Sequence, residues 1–229
     1  ALMTFFATVT DNLTIGGSFG NIYKNAPFVI QNWYAVFSIM SLLLMTAFLN
    51  TAAIRDFENK TAQIVFSSPV NKAGYYFGHF FGAFLVSLIP MLGVSIGMWI
   101  GVGVNGLTQW VEPERFGPFE IQGHINAFTS IVIPNALFGG GILFTVAALT
   151  RSTLYSFISA MVLLVAYIIT GNVIGDIENE ALAALFDPFG LRPFSLITKY
   201  WTVEDKNTMS VPLFHSGWVL NRFMWIGVG

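Results

Sequence analysis

The sequence predicts an all-α protein, a polytopic helical membrane protein of about six transmembrane helices. Three observations predict it. Of the 229 residues, 55% are hydrophobic and only 10% are charged. An ordinary soluble domain is about a quarter charged, so this chain has too little charge to cover a soluble surface. The apolar residues also gather in runs long enough to cross a bilayer as helices. Finally, the runs are separated by short polar segments rich in Gly, Pro and Asn. The formal net charge of -2 comes with no basic block, so nothing points to nucleic acid. The lack of cysteine excludes disulfides and thiolate metal sites.

Residues 1–10 read as the tail of a span, since they lack the basic start and cleavage site of a signal peptide. Both ends of the chain read as cut. Residues 11–27 (DNLTIGGSFGNIYKNAP) form a loop, with Pro27 starting the next helix. Residues 28–54 are the first complete span and carry no charge. Residues 75–104 are the second. Gly74, Gly78 and Gly82 repeat every four positions there, as do Gly93, Gly97 and Gly101. Glycines at that spacing let helix backbones approach closely in lipid, so each set predicts a packing seam. Pro90 between them predicts a bend.

Residues 105–126 (NGLTQWVEPERFGPFEIQGHIN) read as an ordered polar loop, and 127–150 as a third span. Its triplet Gly139-Gly140-Gly141 lacks the strand and lysine of a phosphate loop, which leaves packing or flexing. After a turn at Arg151 comes the span 154–174. A long polar stretch follows, in which Asp176 is expected to cap a short helix over 177–186, ended by Asp187-Pro188-Phe189-Gly190. A last span begins at Trp218. The total is four complete spans and two partial ones.

The loops alternate sides. Arg55, Lys60, Lys72 and Arg151 crowd about 25 residues on one side, and five cations spread over about three times that length on the other. By cation density, residues 55–74 and Arg151 are expected in the cytoplasm.

No ionisable residue falls well inside a complete span, so no proton relay is predicted. His79 reads as an interfacial polar contact, while His124 and His215 fall in outer loops without zinc spacing. HExxH, GxSxG and a phosphate-binding lysine loop are all missing from the sequence. No catalytic residue, cofactor or metal site is therefore expected, and any transport needs a motor on another subunit.

The contact for such a motor is the polar segment between the first two complete spans. Asp56 and Glu58 stand where the helix dipole favours acids at the start of a short helix over 59–67. Ile64, Val65 and Phe66 give that helix a small apolar face, and Ser68-Pro69 ends it.

Arg55-Asp56 followed by SSPVNKAGYYFGHFFGAFL resembles the cytoplasmic connector of type-2 ABC exporter permeases. The resemblance implies a coupling helix that docks on an ABC-type ATPase subunit. Its coupling residues would be Arg55, Asp56, Lys60, Ile64, Val65, Phe66, Ser67 and Ser68. It also implies a homodimer or pseudo-dimer of permease halves in the cell membrane, with ATP bound by the partner. A wider set of segments is similar to bacterial permeases fused to a C-terminal gluzincin-type zinc aminopeptidase. They are residues 11–27, WVEPERFGPF (110–119), LTRS (149–152), DPFGL (187–191), YWTVEDKNT (200–208) and NRFMWIG (221–227). The peptidase motif lies outside this chain, which inherits no protease residue. The rival expectations are a non-transporting anchor for a fused enzyme and a secondary carrier; the missing charged relay disfavours the second.

Overall fold

A helix in lipid satisfies its own backbone, so spans stack as helices and the polar work falls to their ends. The computed structural model describes residues 1–10, 20–175 and 179–229, and all regular structure among them is helical. In chain order the helices are α1 (Leu2–Val9), α2 (Pro27–Glu58), α3 (Ala62–Ser67), α4 (Lys72–Thr108), α5 (Ile121–Ala127), α6 (Ile133–Thr150) and α7 (Thr153–Gly175). They continue with α8 (Glu180–Leu185), α9 (Leu191–Thr198), α10 (Val203–Thr208) and α11 (Ser216–Val228). A π-helical stretch, Phe128–Val132, joins α5 to α6, so residues 121–150 run as one rod. That rod, α2, α4 and α7 are the helices long and apolar enough to span a membrane. They match the four complete spans expected, and α1 and α11 fall where the partial ones were placed.

α2 is the axle. It packs against α4, the α5–α6 rod and α7, and α1 lies along α4. Leu42 and Leu49 of α2 are fully buried, in one cluster with Met45, Leu143 and Phe144. Its buried hydroxyls do not disturb this packing. Ser38, Ser41 and Thr46 each donate to a carbonyl three or four residues back. Asn50 ties α2 to α7, donating to Thr153 Oγ1 (3.1 Å) and accepting from Ser156 Oγ (2.8 Å).

The glycines sort into packed and open. A Cβ added at Gly101 would lie 2.6 Å from Thr8 Cβ, and one at Gly97 would strike Thr4 and the Ala1 carbonyl. The second glycine set is therefore the seam on which α1 rests. At Gly78 and Gly82 a Cβ would meet nothing within 4 Å among the described residues. Gly139 and Gly140 let Leu42, Met45 and Leu49 approach α6, which makes the triplet a packing point.

Several boundaries differ from the sequence expectation. α4 continues through Pro90 and four residues past Val104, and α5 starts at Ile121, so the expected loop over 105–126 shrinks to residues 109–120. The polar residues that suggested loop have partners within reach. Asn105 accepts from Val111 N (2.8 Å) and donates to Val111 O (3.0 Å), and Gln122 donates to Asn126 one turn on (2.9 Å). His124 is consequently a buried residue on α5 rather than a loop residue. The helix expected over 177–186 is described from Glu180, and Asn179 caps it by accepting from Ala181 N and Leu182 N. Asp176 and Ile177 lie outside the described residues, as do 11–19.

The loops collect at two ends. At one, Asn25 and Gln31 repeat the Asn105 device. Asn25 pairs with both backbone groups of Gly117, and Gln31 with both of Val211, each at 2.8 Å. An amide side chain presents one donor and one acceptor together, so it caps a loop residue as a neighbouring strand would. The other end holds α3 and the turn between α6 and α7.

Candidate functional site

The short helix expected between the first two complete spans exists, but it starts later. α2 runs on to Glu58, so Asp56 and Glu58 close that helix instead of opening α3. The dipole disfavours acids at a C-terminus. Asp56 is held there by tertiary contacts: its carboxylate accepts from the Tyr75 hydroxyl of α4 and from Thr61 Oγ1 (3.2 Å). His79 Nε2 lies 3.9 Å from the same carboxylate, and its Nδ1 is 2.9 Å from Tyr75 O. The contact expected of His79 is thus specific to the connector. Lys60 turns the chain from α2 into α3 in the left-handed region, at φ 59°, which costs a side chain about 1–2 kcal/mol.

α3 is six residues long and none is buried. Ser67 Oγ and Ser68 Oγ fold back on Ile64 O (2.9 Å) and Val65 O (2.6 Å). Ser68 then takes the extended conformation that the residue before a proline favours, and the helix stops. The apolar face divides in two. Phe66, itself half exposed, lays one side of its ring against Phe57 of α2 (6.2 Å between ring centroids) and Tyr75 of α4 (5.4 Å). Ile64 turns outward and is 72% exposed, with Val70 exposed beyond it. Val65 is half-buried, and Arg55 is exposed in the last turn of α2, where its charge suits the dipole. Arg151, on the α6–α7 turn, stacks its guanidinium 4.1 Å over Phe57.

The eight sequence-predicted residues therefore have different surroundings. Asp56 and Phe66 fasten α3 to α2 and α4. Ser67 and Ser68 finish the helix, Lys60 turns the chain, and Ile64 is offered outward. Tyr75, His79, Phe57 and Arg151 complete the fastening and were not singled out for it. The spacing of Tyr75 and His79, one turn apart on the helix after the connector, was the available signal. Losing the Tyr75 hydroxyl should loosen α3 without unfolding the bundle. For Tyr75→Phe we expect amides 61–68 to exchange roughly five- to thirtyfold faster, matching a charge-assisted hydrogen bond of about 1–2 kcal/mol. Hydrogen exchange read by mass spectrometry checks it, with α2 residues 38–50 unchanged as the control.

A second polar constellation sits inside the bundle. Arg222 of α11, 1% exposed, donates to Asn135 Oδ1 of α6 (2.7 Å), Asn221 Oδ1 (2.9 Å), and the carbonyls of Pro188 and Phe189 (3.3 Å each). Asn135 donates to Ser38 Oγ of α2 (2.7 Å) and Phe189 O (3.0 Å). Asn221 donates to the carbonyls of Ala184, Leu185 and Asp187. Asp187 accepts from Phe189 N (3.0 Å) and Arg192 N (2.7 Å), starting α9. Gly190 passes beneath the guanidinium at φ 78°, where a Cβ would strike it. The DPFG turn is thus the point where α6, α9 and α11 are knotted, with the α2 side reached through Ser38. The four complete spans hold no ionisable residue deep inside, as expected, but Arg222 in the final segment was passed over.

No group of three or more metal-binding side chains occurs among the described residues. Searches of curated proteins and of solved structures gave no match. A family model described as ABC-2 family transporter protein matches residues 11–196, most of the chain, including the connector and the DPFG turn. With its four apolar rods and its polar connector, the chain belongs to the ABC-2 family of transporter proteins.

Proposed function

We propose that this multi-pass membrane protein is the permease of an ATP-driven exporter, moving its substrate by alternating access powered by separate ATPase subunits. Family membership makes it the membrane component of an ABC transporter. The single observation that supports the finer reading is the mounting of α3. Its Ile64 side is open to a partner, and Phe66, half exposed, rests against Phe57 of α2 and Tyr75 of α4. The same Phe57 ring carries Arg151 from the α6–α7 turn. A push on α3 therefore reaches the bases of four long helices through ring contacts and the Asp56–Tyr75 hydrogen bond. Cation density favours placing this end in the cytoplasm, in a cytoplasmic or inner membrane. Two copies, or two permease halves, would pair around the pathway, with ATP bound on the partner.

The test is co-purification. In mild detergent the intact protein should carry an ABC-type ATPase. Ile64→Asp, at an exposed site that does not fasten the connector, should lower the bound ATPase about tenfold or more, the scale of a single apolar anchor worth ~1.5–3 kcal/mol. The permease's own melting temperature should not move. The alternative, a non-transporting anchor for a fused zinc aminopeptidase, predicts no ATPase and no effect of Ile64→Asp, and those results would replace our reading.

A further inference from the structure

His79, in the second turn of α4, faces the last turn of α2 beside the mount of α3. Its side chain is 22% exposed and that of Asp56 13%, so water reaches the pair although most of both is covered.

The place of the ring hydrogen follows from the partners. His79 Nδ1 lies 2.9 Å from Tyr75 O. A peptide carbonyl only accepts, so Nδ1 carries the hydrogen. The Tyr75 ring holds the imidazole from a second side, 4.2 Å away between centroids. Nε2 is therefore the bare nitrogen of the neutral ring, and it lies 3.9 Å from Asp56 Oδ2. A lone pair there meets a carboxylate, and neither atom can donate. A proton on Nε2 reverses the contact, which becomes an N–H facing a negative charge.

Asp56 has room for that donor. Its carboxylate accepts from the Tyr75 hydroxyl and from Thr61 Oγ1 (3.2 Å), which leaves lone pairs over. Accepted hydrogen bonds of this kind favour the charged carboxylate. The other charged groups at this end point elsewhere. Arg55, Glu58 and Lys60 are exposed at the end of α2, as is Lys72 at the start of α4. α3 brings no titratable side chain, and α6 brings none. Arg151 lies over Phe57, and the Tyr76 hydroxyl is 2.8 Å from Thr145 Oγ1 of α6. Asp56 is the one acid within ion-pair reach of His79 among the described residues. The same two partners carry α3: Asp56 holds Thr61, which precedes its first turn, and Tyr75 holds Phe66.

We propose that His79 is a proton-operated latch on the connector. Protonated, its Nε2–H closes on the Asp56 carboxylate, ties α4 to α2 and stiffens the mount of α3; neutral, it releases them. The proton comes from the water at that end of the bundle, and histidine exchanges one between about pH 5 and 8. A gain tied to the protonated form is present at low pH and is lost as the pH rises. The latch concerns the connector's own contacts, so its test is independent of which partner docks on α3.

The test is hydrogen exchange of the purified full chain at about pH 5.5 and 8, each rate divided by the intrinsic rate at that pH. Amides 61–68 should be about two- to fivefold better protected at the lower pH, the size of a partly exposed ion pair. His79→Gln, which keeps a donor but cannot titrate, should bring that ratio to one. Asp56→Asn should bring it close to one as well, while loosening the connector at both pH values. Amides 38–50 of α2 should show no such ratio in any variant. In thermal midpoints the two substitutions should be coupled at the lower pH and additive at the higher. A ratio of one in the parent, or protection that is better at the higher pH, overturns the latch. A ratio that survives His79→Gln assigns the proton to another group, and one that survives Asp56→Asn assigns its acceptor elsewhere; either result overturns the pairing.

Discussion

Arg222→Met should lower the stability of the folded bundle by about 3–5 kcal/mol, the usual cost of breaking a buried charged network by removing one member. The methionine keeps most of the volume, so the loss isolates the hydrogen bonds. It strips donors from Asn135 Oδ1, Asn221 Oδ1 and the Pro188 and Phe189 carbonyls at once. In lipid no water replaces them. Arg222→Lys should recover little, because an ammonium cannot present the planar fork that reaches α6 and the DPFG turn together. Asn135→Ala should also destabilise, and the double variant should cost less than the sum of the two, with a coupling above about 1 kcal/mol. The measurement is the thermal midpoint of the purified protein in one detergent across the four variants. Additive losses would mean that Arg222 and Asn135 are held separately, and the knot would then be two contacts rather than one.

Filling the seam beneath α1 should be nearly as damaging. Gly101→Ala puts a methyl 2.6 Å from Thr8 Cβ, and Gly97→Ala drives one into Thr4 and within 2.8 Å of the Ala1 carbonyl carbon. The obstacles are backbone and the inner atoms of side chains, which cannot swing aside, so α1 has to lift off α4. Overpacking of this kind costs about 1–3 kcal/mol per site. The discriminating experiment is a size swap. Thr8→Gly removes the atom that Gly101→Ala strikes, so the pair should be more stable than Gly101→Ala alone, despite the poorer helix propensity of glycine. Gly78→Ala and Gly82→Ala, where nothing lies within 4 Å, should stay within about 0.5 kcal/mol of the parent. Destabilisation at Gly78 or Gly82 would show that this face packs on another polypeptide.

Much of this molecule was legible in its sequence because the relevant signals are local. Hydrophobic length picked out α2, α4, the α5–α6 rod and α7, and Pro27 marked the start of α2. The Gly97–Gly101 spacing announced a seam, although not its occupant. The connector was located to within a few residues, and of its expected apolar face, Ile64 to Phe66, Ile64 is the most exposed. The errors fell on polar residues. Asn105, Gln122 and His124 looked like loop, and Asp56 looked like a helix start. Asn105, His124 and Asp56 are each held inside or at the end of a helix by a partner that spacing along the chain could not name, while Gln122 has its partner Asn126 one turn on.

The reason lies in the solvent. A bilayer rewards apolar length wherever it occurs, so the spans, their number and their connectors follow from sequence alone. It also refuses to pair with polar groups, so every buried amide, hydroxyl and guanidinium must find its partner within the protein. Which partner that is depends on the order of the helices in the bundle. Asn135 meets Arg222, Asp56 meets Tyr75, and Tyr34 meets Ser95 and His124 only once α2 stands at the centre. The sequence by itself determined a multi-span helical protein with one exposed connector. Only the tertiary structure decided how that connector is fastened and where the bundle is knotted.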